Sequence, residues 1–199
     1  MFRDRLAAEF APYAALSDEQ LGRLQGHYEL LVKWNQSLNL TRIVDIDDAV
    51  KLHYCESLFV GHALPAGSLR IVDVGTGAGF PGIPLAILRP ECSVTLVESH
   101  RRKAVFLREA SRLLSNVKII SDRAEWISGD WDWCVSRAVR PTDVLGFGLA
   151  GKHALLISSA DFVGLPEPVV VRQVPWGTDR VLAEFHVEHQ SSVSRGTRC

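Results

Sequence analysis

Cysteine is scarce in this chain of 199 residues, and the four present, Cys55, Cys92, Cys134 and Cys199, stand far apart. No Cys-x-x-Cys pair occurs, which excludes a zinc knuckle or a disulfide framework and leaves reduced thiols in a cytoplasmic protein as the expectation. The seven histidines are scattered, without a His-x-x-x-His pair or a clustered carboxylate set, so no metal site is expected. No apolar run approaches the length of a membrane span, and the opening Met-Phe-Arg-Asp-Arg leads into an acid-containing amphipathic stretch instead of a signal-peptide core. Neither a repeat nor a low-complexity tract is visible. The formal net charge is only −1, so the chain as a whole has no strong attraction for nucleic acid.

What charge there is clusters locally. His100-Arg101-Arg102-Lys103 is followed by Arg108 and Arg112, and then by Arg123, Arg137 and Arg140. The first group reads either as a solvated helix face or as a phosphate-contacting rim. An apolar content of 47% suits one globular domain with a small appendage. Ser17-Asp-Glu-Gln20 has the form of a capping box, followed at helical spacing by Leu21, Leu24, Tyr28, Leu31, Asn35 and Leu38. A second helix is predicted over 47–64, with Val50, Tyr54, Ser57 and Leu58 on one face and Pro65 as its stop. Residues 1–64 thus form an N-terminal helical cap. In 65–190, strands are predicted at 70–74, 93–98, 117–121, 133–136 and 154–159, with helices at 81–88, 101–115 and 141–150. That alternation implies an α/β fold of parallel strands with a ligand at their carboxyl ends. Pro166 to Pro175 and Arg180 to His189 read as an antiparallel hairpin, and 191–199 as a polar tail.

The segment Arg70-Ile-Val-Asp-Val-Gly-Thr-Gly-Ala-Gly-Phe-Pro-Gly82 says most about function. A strand passes through Asp73 into a turn with glycine at alternate positions, where backbone can lie bare against a ligand. The helix that follows is expected to turn its first N–H groups toward the same ligand. Gly77-Ala-Gly79-Phe-Pro-Gly82 matches the dinucleotide fingerprint, yet Asp73 beside the turn would repel a pyrophosphate and attract a cationic ligand. Glu98 closes the second strand, where an acid that binds ribose hydroxyls belongs. Two acids and a glycine turn suit S-adenosylmethionine better than a nicotinamide dinucleotide; a ligand-free turn is the plain alternative.

The wider pattern resembles the bacterial small-subunit ribosomal RNA methyltransferases first called glucose-inhibited division protein B, which methylate guanine N7. The matching elements are Lys33-Trp-Asn35 with Asn39-Leu-Thr41, His53-x-x-Glu-Ser57, Asp73 through Leu85, and Arg89-Pro90. Leu96-Val-Glu-Ser99, Arg102-Lys103, Phe106-Leu107 and Val135-Ser-Arg-Ala138 complete the set. The resemblance covers residues 20 to 140 and implies a Rossmann-like methyltransferase fold with a mostly parallel seven-stranded sheet. It implies that Gly75 and Phe80 line the methionine side of S-adenosylmethionine, with Asp73 and Gly77 of the same strand and turn also cofactor-binding, that Glu98 holds the ribose and Ala124 with Glu125 the adenine, and that Arg137 sits beside the methyl donor. Two positions depart from the family: Glu56-Ser57 where Asp-Ser is usual, and Ser158 where the fifth strand tends to end in lysine.

Guanine N7 has a lone pair and no proton, so its methylation needs alignment and no general base. The Asn-Pro-Pro-Tyr/Phe segment of amino-directed methyltransferases and the Pro-Cys pair of carbon methylation are both missing. Arg137 and Arg123 are therefore the expected catalytic residues, fixing phosphate or base. The Asn35, Asn39 and Thr41 cluster is expected to order the helical cap against the cofactor turn, because such groups are costly to bury unpartnered. His53 is either a packed histidine or a group that reaches substrate. The implied partner is 16S ribosomal RNA or the small subunit, met by a monomer. A nicotinamide-dependent oxidoreductase and a non-catalytic RNA-binding relative remain as alternatives.

Overall fold

The structure is a computed structural model that describes residues 1–43 and 45–187. Helix α1 (Phe2–Phe10) buries Phe2, Leu6 and Phe10, one residue per turn. The Ser17 hydroxyl accepts the Gln20 N–H at 3.1 Å while Gln20 Oε1 accepts the Ser17 N–H at 2.9 Å, and this reciprocal cap starts α2 (Asp18–Leu38). The buried stripe of α2 is Leu21, Leu24, His27 and Leu31, so a histidine takes the place that periodicity assigns to Tyr28. The second predicted helix is one helical run in three parts: α3 (Ile46–Ala49), a π-helical turn over Val50–Cys55, and α4 (Glu56–Ala63). Every residue from 53 to 61 is buried, more than a 3.6-residue stripe covers. Leu64, preceding Pro65, is extended and ends the run.

Strands β1 (Arg70–Val74), β2 (Ser93–Val97), β3 (Val117–Ile120), β4 (Trp133–Arg137) and β5 (Lys152–Ser158) are parallel. Helices α5 (Gly82–Leu88), α6 (Arg101–Ala110) and α7 (Pro141–Gly146) connect them. The hairpin β6 (Val170–Gln173) and β7 (Arg180–His186) pairs antiparallel onto β5, giving the order β3-β2-β1-β4-β5-β7-β6. This is the expected Rossmann-like sheet of seven strands.

Helices α6 and α7 are shorter than predicted. The Ser111 hydroxyl donates to Leu107 O at the end of α6, and Gly148, with φ +64°, follows α7. β6 is short because Pro166, Pro168 and Pro175 have no N–H for a ladder. Residues 188 and 189 of the predicted second hairpin strand, the 191–199 tail and Cys199 lie outside the described residues. Cys55, Cys92 and Cys134 are buried free thiols. Among the described residues no helix is long and apolar enough to cross a membrane, and no three His, Cys, Asp or Glu side chains group as a metal site would require. One buried cluster joins α1, α2, α4, α5 and α6 to one face of the sheet, and a second lies on the other face with α7. The parallel strands all end along one edge of the sheet.

Candidate functional site

The turn after β1 is held by its own backbone. Gly75 and Thr76 donate their N–H groups to Val97 O at 3.0 and 3.2 Å, and Gly79 and Phe80 donate to Thr76 O. Gly75 (φ +69°) and Gly77 (φ +60°) are left-handed, which a side chain resists, and a Cβ at Gly75 would lie 2.3 Å from Val139 Cγ2. Gly77 N–H donates to Glu98 Oε2 at 3.1 Å, and His100 N–H donates to Glu98 Oε1 at 2.7 Å. Glu98 therefore clamps the turn while standing where a ribose acid belongs.

Asp73 is fully buried and accepts the Gly82 N–H at 2.8 Å. Ile83 N–H goes to Gly79 O, so the expectation that α5 aims its first N–H groups at a ligand is overturned: turn and strand use them internally. Burial pushes the Asp73 carboxyl up to about 7, against the opposing pull of nearby Thr76, Gly82 and Arg137. The Thr76 hydroxyl acts there as a neighbouring dipole outside hydrogen-bond geometry. Behind the turn, His27 donates from Nε2 to Ala78 O at 3.0 Å and accepts from the Tyr54 hydroxyl at Nδ1, 2.8 Å. Burial lowers His27 to about 4, so it is neutral at physiological pH. The sequence reading missed His27. Its signal was a place between Leu24 and Leu31 on the buried face of α2.

Two cavities meet at Gly75. One, of about 250 Å³, is lined by Val74, Val97, Ser99, Ala124, Glu125 and Phe147, among others. Arg123 stands on its rim, its side chain 62% exposed, paired with Glu125 at 3.4 Å and stacked 5.4 Å from the Trp126 ring centre. The other, of about 260 Å³, is lined by Gly77, Phe80, Glu98, Lys103 and Arg137 together with Thr41 and His53. Lys103, read from sequence as part of a basic run and of the family pattern but given no site role, is thus a lining residue. Asp73 lines neither cavity; it acts on the turn from beneath.

Arg137 ends β4 with its side chain only 11% exposed. Its guanidinium donates to Leu52 O at 2.7 Å and to His53 Nδ1 at 3.0 Å, pairs with Glu56 at 3.5 Å, and lies 5.1 Å from the Phe80 ring centre. Because Nδ1 accepts from Arg137, His53 donates from Nε2 to Thr41 Oγ1 at 2.8 Å. Burial and then Arg137 lower His53 to about 3. Phe80 stacks on its ring at 4.6 Å. Asn35 in turn binds both the N–H and the carbonyl of Thr41, at 2.9 and 3.0 Å. The polar cluster of the helical front end therefore holds the arginine beside the glycine turn. Arg123 and Arg137 are not brought together: they border different cavities. A third cavity of about 660 Å³, walled by α3, the π turn and the hairpin, shares Arg137, His53 and Ala138 with the second. Ser158 lines it and donates its hydroxyl to Asp179. Glu56, fully buried, pairs there with Arg137 and Arg180.

Solved structures share this architecture. Magnesium protoporphyrin IX methyltransferase from Synechocystis, solved with bound SAM, superposes at a TM-score of 0.56 with 12% identity, over 88% of this chain and 99% of that one. A SAM-dependent methyltransferase from Aquifex aeolicus gives 0.53 with 16% identity, over 69% and 91%. Identities this low speak for the fold alone. In sequence, the ribosomal RNA small subunit methyltransferase G of Halorhodospira halophila is 41% identical over 134 residues, 66% of this chain and 63% of that protein. Its namesake from Chromobacterium violaceum is 44% identical over 112 residues, 55% and 53%. The chain thus spans between half and two thirds of the length of these curated relatives. The family model described as rRNA small subunit methyltransferase G matches residues 20–147, which carry the glycine turn, Glu98, His53 and Arg137. The chain belongs to the rRNA small subunit methyltransferase G family.

Proposed function

We propose that the chain is an S-adenosylmethionine-dependent methyltransferase that modifies guanine N7 in 16S small-subunit ribosomal RNA. The observation that carries this reading is the junction at Gly75: bare backbone joins two cavities, the second lined by Glu98 and Arg137. An elongated ligand fits there. Ala124, Glu125 and Phe147 offer a slot for a flat heterocycle, Glu98 offers oxygens for ribose hydroxyls, and Gly77 and Phe80 flank the methionine side. When bound, S-adenosylmethionine supplies an electrophilic methyl group on a sulfonium.

The residues of this chain do the positioning. N7 needs no deprotonation, and His53, lowered to about 3 and engaged at both nitrogens, is a neutral support and no base. Arg137, clamped by Leu52 O, His53 and Glu56, keeps one geometry beside the reacting atoms and aligns the base. Asp73 holds the turn in shape and favours a cationic ligand by its charge. Arg101 and Arg102, exposed on α6, and Arg123 on the rim meet RNA phosphates outside the cleft.

Methyl transfer from labelled S-adenosylmethionine to naked 16S ribosomal RNA and to intact small subunits tests the reading. The product expected is 7-methylguanosine, identified by chain cleavage after mild reduction and aniline. Label on another atom, or on neither substrate, would refute it.

A further inference from the structure

We infer that the third cavity receives the base to be methylated, and that Asp179, from the turn between β6 and β7, and Arg180, the first residue of β7, recognise it as guanine. This rests on the methyltransferase reading above but adds residues beyond the family match, which ends at 147.

The cavity shares His53, Arg137 and Ala138 with the pocket assigned to the methyl donor, so the two adjoin along these residues and a ring placed in it lies beside that pocket. Its charges balance: Asp48, Glu56 and Asp179 against Lys51, Arg137 and Arg180. A phosphate site would carry an excess of cations; a balanced polar wall suits a neutral ring with donors on one edge and acceptors on another. Guanine is such a ring, with O6 and N7 as acceptors and N1–H and the 2-amino group as donors.

The two hairpin residues are held ready for those edges. Asp179 accepts the hydroxyls of Ser158 and Ser159. Those bonds keep its carboxyl below the usual range, so it is ionised at neutral pH and can accept further. Arg180 is drawn into the wall by Glu56, 3.7 Å from its Nε, and the Glu56 oxygen facing it accepts no hydrogen bond. Trp176 anchors the turn by donating to Glu9 at 3.1 Å and packing on Phe10 and Tyr13. With Arg180 toward O6 and Asp179 toward N1–H and the 2-amino group, N7 stays free. Methylation there makes the purine cationic, which a carboxylate on its opposite edge favours. Adenine would turn an acceptor, its N1, toward that carboxylate and be rejected.

The test is binding of guanosine, inosine and adenosine 5′-monophosphates to the protein saturated with S-adenosylhomocysteine, by titration calorimetry or ligand-observed NMR. Inosine lacks only the 2-amino group. Guanosine monophosphate is expected to bind roughly tenfold or more tightly than inosine monophosphate, the effect of one hydrogen bond to a charged group. Asp179→Ala and Asp179→Asn should bring that ratio close to one while S-adenosylhomocysteine affinity holds. Arg180→Gln should weaken both nucleotides. Absent guanosine monophosphate binding, equal binding of the two by wild type, or an unchanged ratio in both Asp179 variants overturns the inference. Failure of S-adenosylhomocysteine itself to bind would instead overturn the methyltransferase reading.

Discussion

Asp73→Asn separates the charge of the buried acid from its shape. The amide oxygen can still accept the Gly82 N–H, and the amide NH2 replaces the Asp73 oxygen that has no hydrogen-bond partner. Asp73 titrates near 7 in the fold against an ordinary 3.8. Between those values the folded protein holds a proton that the unfolded chain has released, so the group's stability contribution is complete below pH 4 and is lost as pH rises to 7. At 1.36 kcal/mol per pKa unit the whole window is worth about 4 kcal/mol, and the part between pH 5 and 8 about 3 kcal/mol. The amide does not titrate. Urea denaturation of both proteins from pH 5 to 8 should therefore show Asp73→Asn gaining on wild type by roughly 3 kcal/mol, levelling near pH 8. Parallel curves would refute the reasoning. A cationic ligand reverses the balance by favouring the carboxylate. Wild-type affinity for S-adenosylmethionine should rise from about pH 5.5 to 7, whereas the variant should bind more weakly and without that slope.

Gly75→Val and Gly77→Val should weaken S-adenosylmethionine binding in calorimetry by at least about tenfold while melting stays cooperative, since both positions have positive φ; unchanged affinity would remove the basis for the cofactor site. Reversing the charges of Arg101, Arg102 and Lys103 should lower RNA affinity and flatten its salt dependence, which for duplex is about 0.9 per phosphate neutralised. A salt-independent Kd in wild type would return α6 to a solvated face. Because Lys103 lines the cofactor-side cavity, cofactor affinity should be measured alongside and should stay within a few-fold. Arg137→Ala should slow methyl transfer about 100-fold or more with cofactor affinity little changed, as expected for a contact that matters most in the transition state. At saturating cofactor the wild-type rate should be flat from about pH 6.5 to 8.5, and a bell tracing to one side chain would contradict catalysis without a base.

The elements legible in the sequence are those set by neighbouring residues. Ser17 and Gln20 cap each other within one turn, Pro65 forbids the helix before it, and alternate glycines after β1 permit a turn that other residues resist. Strand and helix order followed from such local rules, and so did the location of the cleft. The roles of individual charged groups did not follow. Arg123 and Arg137 look alike in sequence, but one is exposed on a rim and the other is buried among Leu52, His53, Glu56 and Phe80. Asp73 reads in sequence as a ligand's counter-charge alone, and its second task, holding Gly82, shows only in the fold, because a buried N–H requires an acceptor and Asp73 supplies it. His53 meets an arginine 84 positions away, and Asp179 and Arg180 reach the cleft only because β7 runs antiparallel beside β5. Dihedral preferences and hydrogen bonds within a turn are written in adjacent residues. Burial, and with it ionisation and partner choice, depends on chain segments that meet only when the sheet closes over its core, and that was decided by the tertiary structure.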